Sequence, residues 1–184
     1  HLVHAESALL DEQLALESGE RFLLRIEDID MVRCKPELVD AVFEDLRWLG
    51  LHWEEPVLRQ STQFPRYRTA LEALAGKGLL YPCFCSRKKI AEAVATHESH
   101  DNPWPKDPDG APHYPGCCRR MGEDERARRI AGGAEYAMRL DVRAAMVALG
   151  GARLVWTEHG QGDSPADPGR WGDVILARKE TPTS

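Results

Sequence analysis

Apolar residues recur at helical spacing in the first third of the chain, interrupted by one short continuous run. Between residues 4 and 17, Ala5, Ala8, Leu9, Ala15 and Leu16 are interleaved with Asp11, Glu12 and Gln13, which predicts an amphipathic helix closed by Gly19. The run Phe22-Leu23-Leu24-Arg25-Ile26 then predicts a buried strand of a parallel sheet. It ends abruptly in Glu27, Asp28 and Asp30. Pro36 suits a first helical turn, and Leu38, Val42, Leu46 and Leu49 recur every three or four residues up to Gly50, predicting a second helix. Helix, strand, acidic loop and helix form the pattern of a βαβ region, and sheets of that kind bind ligands just beyond the carboxyl ends of their strands. The loop at 27–30 is therefore the first candidate site, set against the plainer reading of a solvated acidic turn.

Further along, Ser61 is expected to N-cap a third helix carrying Phe64, Tyr67, Leu71 and Leu74. Leu79 to Cys85 is another short apolar run, after which Ser86 is expected to cap a helix of mixed charge reaching about Glu98. Residues 99–118 hold Asn102-Pro103-Trp104-Pro105 and Asp107-Pro108-Asp109-Gly110, which predicts irregular structure. A polar helix near 122–131 and strands at 135–142, 153–157 and 173–178 follow. Helices dominate before residue 79, and short strands and loops after it. The expected domains are accordingly 1–78 and 79–184.

Composition narrows the chemistry. The 184 residues carry a formal net charge of −6, so no general basic field draws the chain to nucleic acid, and RNA contact has to rely on a local patch. No apolar stretch is long enough to span a membrane and no signal-peptide pattern is visible, so a cytoplasmic protein without a membrane partner is expected. Five cysteines, two of them spaced Cys83-x-Cys85, favour metal binding or free thiols over a disulfide framework. The chain opens at His1 and closes just after a strand-like run, which reads as a piece of a longer protein.

Three groups of residues can carry chemistry. His1 and His4 stand at the start of the first helix, where unpaired N–H groups and the positive end of the dipole suit an anion such as phosphate, although on these four residues alone two exposed histidines without a role are the default reading. Cys83 and Cys85 lie two apart, so on an extended strand both thiols face one side, and Tyr114-Pro115-Gly116-Cys117-Cys118 offers a second short motif. Zinc takes four donors in a tetrahedron. Cys117 or Cys118 supplies the third sulfur, and His113 or Tyr114 the fourth donor; buried structural cysteines are the alternative. The third group is basic: Arg87, Lys88 and Lys89 with Arg119, Arg120, Arg126, Arg128 and Arg129, two clusters that a metal joining 83–85 to 114–118 would bring near each other to meet a phosphate backbone.

Taken in order, the chain resembles the glutamate-specific class I aminoacyl-tRNA synthetases, and among them the glutamyl-queuosine tRNA(Asp) synthetases. The resemblance rests on His1-Leu2-Val3-His4-Ala5, on Phe22 to Asp30, on Trp48-Leu49-Gly50-Leu51-His52-Trp53, and on Gln60-Ser61. It continues through Tyr81 to Ser86, Tyr114 to Arg119 and Trp171 to Leu176. It implies an α/β fold: the first half of a Rossmann-type catalytic core, residues 1–78, with an inserted zinc-bearing α+β subdomain at 79–184. It implies a ligase that activates glutamate with ATP and Mg²⁺ to glutamyl adenylate and transfers the glutamyl group to queuosine in the anticodon of tRNA(Asp). A cytoplasmic monomer is expected, inactive as this piece alone.

Site residues follow from the same resemblance. His1 and His4 match the signature histidines that bind ATP and stabilise charge at the α-phosphate, and Glu27 matches the residue holding the α-ammonium group of glutamate. Cys83, Cys85, Tyr114 and Cys118 match the zinc ligands, placing Tyr114 ahead of His113 and Cys118 ahead of Cys117. Ile29, where the tRNA(Glu)-charging enzymes usually have Thr, favours the queuosine branch. Val3 departs from the family, which has Gly there, and a β-branched side chain crowds a nucleotide laid against the backbone. Two rival readings remain: a glutamyl-tRNA synthetase charging tRNA(Glu), and a non-catalytic zinc and RNA-binding module.

Overall fold

A computed structural model describes residues 2–99 and 101–183. The chain divides into two compact units, His1–Pro65 and Arg66–Ser184.

The first unit is a βαβ arrangement preceded by a helix. Helix α1 (Leu2–Ser18) leads to strand β1 (Leu23–Ile26), helix α2 (Pro36–Trp48) and strand β2 (Glu54–Arg59). β2 runs parallel to β1, with Leu23 opposite Glu54 and Ile26 opposite Arg59. This second strand is absent from the sequence reading, because Pro56 and the charged residues of Glu-Glu-Pro-Val-Leu-Arg mask the strand signal. Nor is β1 fully buried: Leu23 is 60% exposed, and Ile26 is the buried position. Only one neighbouring strand flanks β1 among the described residues.

Helix α2 shows how local sequence fixes its own limits. Pro36 opens it, Glu37 and Arg47 complement the dipole at its two ends, and Gly50 closes it with φ +81°. There the Gly50 N–H reaches the Arg47 carbonyl at 2.9 Å and the Leu51 N–H reaches that of Leu46 at 3.1 Å, a Schellman closure that buries Leu51. The His52 N–H then donates to the Glu12 carboxylate at 3.0 Å, tying this exit to α1.

Asp28 joins the ends of the two parallel strands. It is buried just past β1, and its carboxylate accepts the Ser61 N–H at 2.8 Å and the Ser61 hydroxyl at 2.7 Å. Ser61 is thus not the cap of the third helix: it sits in a 3-10 turn, Gln60–Gln63, directly after β2. Its hydroxyl is taken by Asp28, and helix α3 (Phe64–Gly76) begins beyond the turn.

The second unit is built on an antiparallel sheet. Strand β3 (Leu80–Cys83) pairs with β4 (Ala137–Leu140), which pairs in turn with a strand at Ile175–Ala177. Between β3 and β4 lie α4 (Arg87–His97), capped by the Ser86 hydroxyl on the Lys89 N–H, and α5 (Glu123–Ala131). The described residues of 99–118 form no helix or strand beyond two isolated bridges, Ser99 with Asn102 and Lys106 with Pro112. Asp107 folds part of this segment by accepting the Asp109 and Ala111 N–H groups.

Where a strand was expected up to residue 142, Asp141 instead caps a helix α6 (Val142–Ala148) by accepting the Ala144 N–H at 3.0 Å. The strand at 153–157 appears as β5 (Val155–Glu158), paired with a further strand β6 (Gly162–Pro165) that its Gly-Asp-Ser-Pro sequence conceals. The strand at Ile175–Ala177 is β7.

Burial raises the Asp28 carboxyl, but the Ser61 amide and hydroxyl, its own N–H and the Arg59 charge lower it further, leaving it below the usual carboxylate range. Its stabilising contribution is present above the unfolded value of about 3.9 and is lost as pH falls through the depressed folded value. Asp28→Ala is expected to cost about 2 kcal/mol in urea unfolding at pH 7. The difference from the parent chain should shrink towards pH 3; a pH-independent difference contradicts this account.

Candidate metal and substrate site

The described residues bring together one group of potential metal ligands: Cys83, Cys85 and Cys118, with all three sulfurs within 4.8 Å of one another. Cys83 ends β3, Cys85 lies two residues on, and Cys118 follows the tight turn at Gly116, whose φ of +77° an L side chain rarely adopts. The Cys85 and Cys118 sulfurs are 3.5 Å apart. Zinc–sulfur bonds of about 2.3 Å at tetrahedral angles separate two sulfurs by about 3.8 Å. The cluster therefore has the dimensions of a tetrahedral zinc site.

Tyr114 lies against this cluster. Its phenol oxygen lies 3.5 Å from the Cys85 sulfur and accepts the Cys118 N–H at 2.8 Å. His113 faces elsewhere: its Nε2 pairs with the Arg170 carbonyl at 2.8 Å, and its own carbonyl accepts the Trp104 indole N–H at 2.9 Å. Cys117 is outside the group of three sulfurs, half-buried and free. Neighbouring positions in the sequence are thus separated by the turn.

The protons on the cluster are held unequally. Burial pushes the Cys85 thiol up to about 12. Burial also raises Cys118, but the Tyr114 hydroxyl, the Phe84 N–H at 3.4 Å and the other two thiols outweigh it and hold it below the ordinary thiol value. Burial, then hydrogen bonding to the three sulfurs, raises the Tyr114 phenol. Cys118 is the thiol readiest to bind a cation as thiolate.

Beneath the cluster lies a polar network that the sequence reading did not find. Asp173 is 6% exposed, and one of its carboxylate oxygens accepts the Tyr81 hydroxyl and the Arg119 guanidinium, both at 2.6 Å. Its other oxygen accepts the Val142 N–H at 3.2 Å, and its carbonyl accepts Arg139 at 2.7 Å. Arg139, in the centre of β4 and itself buried, lies over the Tyr114 ring with its guanidinium carbon 4.1 Å from the centroid. The available signal was Asp173 just ahead of an apolar run and Arg139 alternating with Ala137 on β4.

In the first unit Glu27 stands at the exposed end of β1 with its carboxylate paired to Arg25. Asp30 folds the loop behind it, accepting the Val32 and Arg33 N–H groups at 3.2 and 3.1 Å. Glu27, Asp28 and Asp30 are therefore divided in task, with Glu27 the one whose charge faces solvent. His4 is exposed in the first turn of α1, and Val3 beside it is 59% exposed. His1 lies outside the described residues. The basic groups are partly committed: Arg128 and Arg129 pair with Glu125, Arg129 covers the Phe84 ring, and Arg126 binds the Cys118 and Arg119 carbonyls.

Comparison with known proteins gives consistent results. Residues 1–149 match the family model of class I tRNA synthetases (E and Q), catalytic domain. The chain is 42% identical to a glutamyl-Q tRNA(Asp) synthetase of Rhodobacter capsulatus over 100% of this chain and 64% of the relative. It is 37% identical to glutamate–tRNA ligase 1 of Halorhodospira halophila over 77% of this chain and 30% of the relative. A crystal structure of a glutamate-tRNA synthetase from Elizabethkingia anophelis superposes with a TM-score of 0.70 at 19% identity, covering 96% of this chain and 36% of that one. The fold is accordingly that of a class I aminoacyl-tRNA synthetase catalytic domain, and the chain spans less than two thirds of the length of these relatives.

Removing the Asp173 carboxylate strands buried Arg119 and Tyr81 groups. Asp173→Ala is expected to destabilise by about 3 kcal/mol in urea unfolding, whereas Arg33→Ala, at an exposed pair with Asp30, leaves the midpoint in place. Equal effects of the two substitutions contradict this ranking.

Proposed function

Because the chain belongs to the family of class I tRNA synthetases for glutamate and glutamine, we propose that its protein activates glutamate with ATP and Mg²⁺ and passes the glutamyl group to queuosine in the anticodon of tRNA(Asp). The observation that carries the queuosine reading is the 42% identity to the Rhodobacter capsulatus glutamyl-Q tRNA(Asp) synthetase over the whole chain, against 37% over 77% for the ligase. Ile29 supports it. A glutamyl-tRNA synthetase acting on tRNA(Glu) is the second reading, favoured by the fold it shares with the Elizabethkingia anophelis enzyme.

In this reading His1 and His4 hold the ATP phosphates at the start of α1. Their imidazoles and the helix dipole favour the charge that grows at the α-phosphate as the glutamate carboxylate attacks and pyrophosphate leaves. Glu27, exposed past the end of β1, offers its carboxylate to the glutamate ammonium group. Arg25 is its present partner, so an arriving ammonium replaces or joins a guanidinium. Asp28 holds the strand ends from which Glu27 projects.

Cys83, Cys85, Tyr114 and Cys118 are the proposed zinc ligands, and the donor set fits the ion. Bound there, zinc cross-links the end of β3 to the turn at 116–118, and its role is structural. The functional boundary falls between 78 and 79, where α3 has ended and the strand leading to the cysteines begins. The wider protein is read as a cytoplasmic monomer.

Full-length protein is expected to catalyse glutamate-dependent ATP–pyrophosphate exchange without tRNA; an absolute requirement for tRNA favours the tRNA(Glu)-charging reading. Metal analysis should find one zinc per chain, lost on Cys83→Ser and retained on Cys117→Ser, and a metal-free wild type sinks the zinc assignment. Val3→Gly is expected to lower the KM for ATP in the exchange reaction, and an unchanged value removes the crowding argument.

A further inference from the structure

A cleft of about 420 Å³ opens beside the cysteine cluster, lined among others by Trp104, His113, Arg119, Arg120, Arg143 and Asp173. Its charge is unbalanced: three guanidiniums face one carboxylate, and that carboxylate is already taken by Arg119, Tyr81 and the Val142 N–H. The Arg120 guanidinium donates to the Pro115 carbonyl at 3.0 Å, and among the described residues neither Arg120 nor Arg143 has a carboxylate partner.

Two of these charges are also forced together. Nη2 of Arg119 and Nη1 of Arg120 each lie 3.0 Å from the point where a Cβ on Gly116 would sit, so the two nitrogens are at most twice that distance apart. Arg119 is half-buried there while Arg120 and Arg143 are exposed, and like charges held at such range at a concave surface favour an anion between them. The metal cluster does not supply it: three thiolates with one divalent ion leave a single negative charge, and Arg139, stacked on Tyr114, is the cation placed over it.

We propose that this cleft binds a phosphoryl oxyanion, with Arg120 and Arg143 as its principal ligands, Arg119 as a shared one, and Gly116 as the residue whose missing side chain lets the guanidiniums converge. A planar fork matches two phosphate oxygens, and Arg120 and Arg143 line the same cleft as Trp104 and His113. The same chemistry arises from an RNA phosphodiester or from free phosphate. The RNA source rests on the tRNA reading above, and the phosphate site itself does not.

The test uses zinc-loaded full-length protein and two probes: a tRNA(Asp) transcript followed by fluorescence anisotropy between about 50 and about 200 mM salt, and inorganic phosphate followed by calorimetry. In the double variant Arg120→Gln/Arg143→Gln the slope of log affinity against log salt is expected to become shallower by about 1, with roughly tenfold weaker tRNA binding. Arg120→Lys/Arg143→Lys should retain the slope. Zinc content and thermal midpoint report that both variants fold. Phosphate binding lost in the Gln variant with an unchanged tRNA slope assigns the cleft to free phosphate; no change with either probe overturns the proposal. A wild type that binds phosphate but shows no exchange activity sinks the synthetase reading and leaves this site standing.

Discussion

One buried carboxylate organises the second unit. Asp173 is the common acceptor for a phenol on β3, a guanidinium from the turn after the cysteines and the first N–H of α6, while its carbonyl receives a guanidinium from β4. A lone buried carboxylate is costly, and here almost every lone pair is met. Because the donors to this side chain come from three separate stretches of sequence, satisfying it fixes where those stretches lie. The three sulfurs inherit their positions from that frame, since Tyr81 and Cys83 share a strand and Arg119 adjoins Cys118. The neighbouring apolar cluster is small, Tyr81, Cys83 and Cys118 with Phe84, Cys85, Tyr114 and Met121 around them. The candidate metal ligands and the core are thus largely the same residues.

The first unit applies the same device more sparingly. Asp28 is buried against Ser61 and joins the ends of two parallel strands, while Glu27, one position earlier, faces out. On an extended chain adjacent residues point to opposite sides, so one acid supports the loop and its neighbour faces out, paired with Arg25. Beyond Asp28, the buried residues of this unit are Ile26, Val39 and Leu51, a thin core in which helix capping and single hydrogen bonds carry much of the organisation.

Legibility in the sequence followed the strength of local signals. Helices α1, α2, α4 and α5 announced themselves by periodicity, Pro and Gly limits or a capping serine, and β1 and β3 by short apolar runs. β2 was hidden by a proline and three charges, β6 by turn residues, and α6 by its position directly after a strand, where only the Asp141 cap separates them. Cys83 and Cys85 were legible as a pair because Cys-x-Cys on an extended strand is a geometric statement. The preferences for Cys118 over Cys117 and for Tyr114 over His113 came from the family resemblance alone, because the turn at Gly116 and the carbonyl at Arg170 that separate these neighbours are encoded in no local pattern. The Asp173 network was equally invisible, its members being scattered from residue 81 to residue 173.

The alternation at residues 83–85 has a consequence for how this segment tolerates change. Phe84 lies between two thiols of the cluster, its ring edge-on to Tyr136 at 5.6 Å and covered by Arg129. Sulfur and phenyl occupy opposite faces of one extended stretch. A single-residue insertion or deletion near Leu80 would therefore not merely shift the strand: it would deliver a phenyl ring to the cluster and a thiol to the aromatic contact. The segment is read in steps of two, and length variation here must come in pairs or be moved out to the irregular stretch that follows α4.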